Sequence, residues 1–157
     1  MKEISKVLAI FERFTTVLLL LSATGVLFVN IILRYFFGEG LSWAEEYIAY
    51  AMIWVTFIGA AICVGEKRHV AMRVILDSLK NERVKMLYEK ILSLISMVFC
   101  TWILIIGIKT IAFQISMGQM SPALRIPMYI PYLAVPLGFF LMTFRFMEDL
   151  LDMQRGR

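Results

Sequence analysis

Histidine is nearly missing from this chain: His69 is the only one in 157 residues. Cysteine is scarce too, with Cys63 and Cys100 far apart and in no CxxC spacing. A haem anchored by two histidines on facing helices is therefore excluded, and neither a metal site nor a disulfide framework is indicated. No cofactor and no metal are expected. Charge is the other shortage, because residues 14–33, 47–65, 91–108 and 126–144 contain no Asp, Glu, Lys or Arg at all. A proton-coupled exporter working alone would be expected to carry a carboxylate inside a span, and these windows hold none. Broken helices with paired ion sites, the mark of many secondary transporters, are not visible either, and with no evident nucleophile–base pair catalysis is not expected.

What is present is apolar. Hydrophobic residues make up 61% of the chain and the mean hydropathy is +0.79. Each uncharged window is roughly 18–20 residues, enough for a helix rising 1.5 Å per residue to cross a hydrocarbon core of about 30 Å. The expected fold is an all-α integral membrane protein in one domain, with spans near residues 14–34, 45–65, 88–112 and 128–146. The first is too long for a signal-peptide core and reads as a retained anchor.

Basic residues set the expected orientation. Lys2, Lys6 and Arg13 precede the first span; Lys67, Arg68, Arg73, Lys80, Arg83, Lys85 and Lys90 crowd the second connection; Arg145, Arg155 and Arg157 close the chain. Only Arg34 lies in the first connection, and Lys109 and Arg125 in the third. The positive-inside rule then places both termini in the cytoplasm. A net charge of +4 is matched by phospholipid headgroups and calls for no nucleic acid.

The polar connection after the second span is patterned. Glu66, His69, Arg73, Asp77 and Lys80 recur on one helical face, and Val70, Val74, Ile75 and Leu79 on another. This predicts an amphipathic surface helix near residues 68–80 on the cytoplasmic side, with His69 and Arg73 on its polar face.

Most distinctive chemistry gathers at one corner, in Asn30, Arg34, Trp43, Glu45 and Glu46. Asn30 and Arg34 share a helix face. Ser42-x-x-Glu45 reads as a capping box opening the second span. Trp43, Tyr47, Tyr50, Trp54 and Phe57 fall in one aromatic stripe. Small residues at helical spacing mark candidate close contacts or subunit interfaces: Gly59, Ala61, Gly65, Ala134 and Gly138. Pro136 is expected to kink the fourth span by freeing the carbonyl of Tyr132. Pro122, Ala123, Leu124 and Pro127 lie in an apolar outer loop, suited either to its own bundle or to another protein.

The run Asn30-x-x-x-Arg34-Tyr35, then Trp43-x-x-Glu46 and Trp54-x-x-Phe57-x-Gly59-Ala60-Ala61, resembles the small, DctQ-type membrane subunit of TRAP (tripartite ATP-independent periplasmic) transporters. His69-Val70, Ser121-Pro122-Ala123-Leu124, Ile126-Pro127, Tyr132 and Pro136-Leu137-Gly138 with Arg145 extend the similarity over about residues 14–146. Arg73 departs from it, standing where the family often has an acidic residue.

The resemblance implies a scaffold subunit of a sodium-coupled importer of an organic acid, a C4-dicarboxylate or a sugar acid such as sialic acid. It implies two partners, a large membrane subunit that moves the substrate and a periplasmic substrate-binding protein that docks transiently. Arg34 and Glu46 are expected to pair across the outer corner, and residues 122–127 to form the docking loop. The competing readings are an autonomous homo-oligomeric four-helix transporter of small solutes, or an assembly factor for an unrelated enzyme.

Overall fold

The computed structural model describes residues 2–65 and 82–154. The proposed surface helix, with His69 and Arg73, lies outside the described residues. Five helices follow in order: α1 (Lys2–Phe37), α2 (Ala44–Gly65), α3 (Glu82–Met117), α4 (Tyr129–Tyr132) and α5 (Ala134–Gln154). Among the described residues there is no strand, only an isolated antiparallel bridge between Met120 and Pro127. Four segments are long and apolar enough to cross a membrane: Leu8–Phe37, Ala44–Gly65, Leu87–Met117 and Tyr129–Leu151.

The long helices do not close into a square bundle. α1 packs on α2, α2 on α5 and α5 on α3, and no other pair of long helices shares an extended contact. The result is a row one helix thick, in the order α1–α2–α5–α3. Side chains along it explain why it is held closely. On α2 the buried residues Ala44, Ala51 and Ile58 recur at heptad spacing, and the exposed Gly65 falls on the same spacing. On α3, Ser93, Cys100 and Gly107 do the same. Small residues at these positions let neighbouring backbones approach, which is the main source of helix affinity where lipid is as apolar as leucine.

Two glycines make the closest approaches. A Cβ on Gly107 would stand 3.3 Å from the Pro136 ring, and one on Gly138 would stand 2.7 Å from the Phe57 Cβ. Pro136 therefore sits in a notch in α3. It also has no N–H to give, and the helix is interrupted at Leu133 before α5 resumes, as expected where the Tyr132 carbonyl loses its partner. Across the break Leu133 N–H still reaches the Tyr129 carbonyl at 2.9 Å and Leu137 N–H the Leu133 carbonyl at 3.2 Å.

The long helices leave most of their apolar side chains outward: Leu21, Phe28, Phe99, Trp102 and Phe140 are all more than half exposed.

Candidate functional site

Polar side chains collect at the two ends of the row. At the end bearing the 38–43 and 118–128 connections, Asn30 is buried near the top of α1, and its Oδ1 accepts the Leu41 N–H at 2.7 Å. Gly40 makes this possible, since a Cβ there would lie 3.0 Å from the same oxygen. Gly38, at φ 75°, supplies the left-handed turn that ends α1.

Glu46 is the hub of this end. Its Oε2 accepts the backbone N–H groups of Ala123 and Leu124, both at 2.8 Å, while its Oε1 accepts the Tyr50 hydroxyl at 2.5 Å. The carboxylate thus fills a cup of adjacent donors on a loop far away in the chain. That loop is itself ordered by a short ladder. Ser121 N–H bonds the Ile126 carbonyl at 2.9 Å, Met128 N–H bonds Gln119 at 3.0 Å, and the buried Ser121 hydroxyl accepts the Ile126 N–H at 3.2 Å. Arg125 takes a left-handed φ of 53° to turn the chain. Pro122 and Ala123 are exposed, while Leu124 and Pro127 are half-buried.

Three sequence expectations change here. Arg34 is exposed and forms no ion pair with Glu46; the carboxylate is turned instead toward the 121–127 loop, where two amides and a hydroxyl outcompete a flexible surface guanidinium. The cap is shifted by one residue, because Tyr47 N–H bonds the Trp43 carbonyl at 3.0 Å, making Trp43 and not Ser42 the first half-helical residue. Glu45 points outward, exposed. The aromatic stripe also divides between neighbours: Trp43 meets Tyr47 edge-on at 6.3 Å, the Tyr47 and Ser22 hydroxyls of α2 and α1 bond at 2.8 Å, and Phe57 packs on Phe139 of α5 at 5.9 Å.

The opposite end is held by an ion pair that the sequence did not announce. Arg145 and Glu12 are 7% and 3% exposed, and the guanidinium Nη2 donates to Glu12 Oε2. Nη1 donates to the Ile62 carbonyl of α2 at 3.3 Å. Arg145 is thus a buried tie joining α5, α2 and α1. A Cβ on Gly65 would fall 1.7 Å from Nη1, so the missing side chain is the passage through which the arginine crosses the end of α2. Ser93 of α3 adds a bond to Asp149 of α5 at 3.2 Å.

Of the small residues, Ala61 and Ala134 are fully buried, Gly138 and Gly65 meet other helices, and Gly59 has open space where a Cβ would go. Glu12 and Gly107 were missed. The available signal for Glu12 was its position two residues before the first apolar window, on the same side of the row as Arg145 just after the last. Among the described residues no group of His, Cys, Asp and Glu is arranged to hold a metal ion.

Comparison with known proteins gives a consistent result. The sequence profile described as "Tripartite ATP-independent periplasmic transporters, DctQ component" matches residues 23–156. A Haemophilus influenzae protein assigned by name to the TRAP transporter small permeases is 31% identical over 69% of this chain and 66% of its own length. The C4-dicarboxylate TRAP transporter small permease protein DctQ of Vibrio cholerae is 26% identical over 87% of this chain and 68% of its length. The isethionate TRAP transporter permease protein DctMQ of Oleidesulfovibrio alaskensis is 28% identical over 72% of this chain, which spans 18% of that relative.

Proposed function

Because the chain belongs to the DctQ component family of tripartite ATP-independent periplasmic transporters, we propose that it is the small membrane subunit of such a transporter and acts as a static brace. In this reading it holds a large membrane subunit that carries an organic acid inward with sodium, and widens the platform on which a periplasmic binding protein docks. In the same reading both termini face the cytoplasm and the 118–128 loop held by Glu46 faces the periplasm, an orientation supported by the distribution of basic residues.

The observation that carries the proposal is the row itself. A layer one helix thick encloses no channel between its helices, whereas it offers long apolar sides to a companion. The polar ties support the same reading. Glu12–Arg145 ties α1 to α5 at one end of the helices, and Glu46 ties α2 to the 121–127 loop at the other, which suits a rigid support. The DctMQ relative, whose name joins the two membrane components, fits a small subunit working directly against a large one. Relatives are named for C4-dicarboxylate, isethionate and ectoine, and such variety fits a subunit that does not line the cargo's path.

Gentle extraction of the tagged chain from native membranes should bring down a large polytopic protein in equal amount. The chain purified and reconstituted alone should leave liposomes inert. Sodium-driven uptake by the isolated chain would refute the brace and favour the homo-oligomeric transporter.

A further inference from the structure

Lys109 of α3 sits where a lysine is costly. Contacts between helices give its depth. Gly107 faces Pro136, and Gly138, a little further along α5, faces Phe57 of α2. At 1.5 Å rise per residue, Lys109 lies about 6 Å from the Phe57 level toward the end that carries Glu46. On the same scale Glu46 is about 16 Å from that level, and Gly65, with the Arg145 guanidinium beside it, about 12 Å away in the opposite direction. The distance between the two polar ends is close to a hydrocarbon core, and Lys109 falls about 4 Å from its midpoint.

The side chain is exposed, on the same helix face as Trp102, Ile105 and Phe113. Among the described residues nothing accepts from its ammonium group. Helical side chains lean toward the helix N-terminus, which for α3 lies at the far end, so the nearer polar surface is behind it. A lysine at this depth facing lipid is disfavoured by roughly a hundredfold. Positive charge in such a place is retained when a protein supplies the counter-charge.

We propose that the Lys109 face of α3, with Trp102, Ile105 and Phe113, is the surface against which an integral membrane partner packs, and that this partner presents an Asp or Glu carboxylate to Lys109 near the bilayer midplane. This rests on the reading of the chain as one subunit of a larger membrane complex and adds which helix makes the contact and by what chemistry.

The test places a photoreactive benzophenone amino acid at Phe113 in the complete complex in native membranes, leaving Lys109 intact, and identifies the adduct by mass. A covalent adduct to the large membrane subunit is expected. If that subunit co-purifies but the probe captures only lipid, the assignment of this face is wrong while the functional reading stands. If no large subunit co-purifies, or the adduct is a second copy of this chain, both fall. In parallel, Lys109→Leu should lower recovery of the large subunit at least tenfold and Lys109→Arg should keep it. Equal or higher recovery with Lys109→Leu would show a lipid-facing residue and overturn the proposal.

Discussion

Arg145→Met tests the tie at the inner end of the row most severely. The substitution keeps length and apolar bulk but removes both guanidinium bonds, one to the Glu12 carboxylate and one to the Ile62 carbonyl. It leaves Glu12, 3% exposed, as a carboxylate without a counter-charge. Removing one member of a buried pair costs about 3–5 kcal/mol. Because the row is one helix thick and this end lies near headgroups, the lower bound of about 3 kcal/mol applies. Glu12→Gln should cost less, about 2 kcal/mol, since an amide oxygen still accepts from the guanidinium. Once both are changed the uncompensated charges are gone, so the double variant should fall short of the summed single costs by about 2 kcal/mol. Titration with SDS in mixed micelles, followed by tryptophan fluorescence, measures all four corners of the cycle. Additive losses, or a cost below about 1 kcal/mol for Arg145→Met, would refute the claim that the pair holds α1 to α5.

Gly138→Ala puts a methyl group 2.7 Å from the Phe57 Cβ and should cost about 1–3 kcal/mol in the same titration, whereas Gly59→Ala, with nothing within 4 Å, should leave the isolated chain unchanged. Glu46→Gln should speed hydrogen exchange at Ala123 and Leu124 amides by weakening the bonds that hold them, while Arg34→Glu should leave that exchange as it is; equal effects of the two would restore the discarded Arg34–Glu46 pair.

The four spans were legible because hydropathy is a local property, written in each uncharged window without reference to any other. Asn30, Trp43 and Glu46 were also visible as a corner, since polar groups stand out against apolar flanks. Their partners were not. Glu46 is satisfied by Ala123 and Leu124 main-chain amides, which carry no side-chain signature, and so the nearby Arg34 looked like the natural mate. Glu12 was hidden for a related reason: beside an uncharged window, a charge resembles an ordinary flank until the last span is laid near the first. Small-residue spacing found Gly65 and Gly138 but could not separate them from Gly59, because spacing names a face and not what covers it. Nor does hydropathy distinguish a row from a closed bundle; that depends on which helices neighbour which.

Glu12 belongs to α1 and Arg145 to α5, made 133 residues later, and they meet across the end of the intervening α2. During synthesis the carboxylate must wait for α2 and α3 to be made before its mate emerges. A chain cut short before α5 can never fasten that latch, so closure of the latch reports that α5 has been laid against α1 and α2.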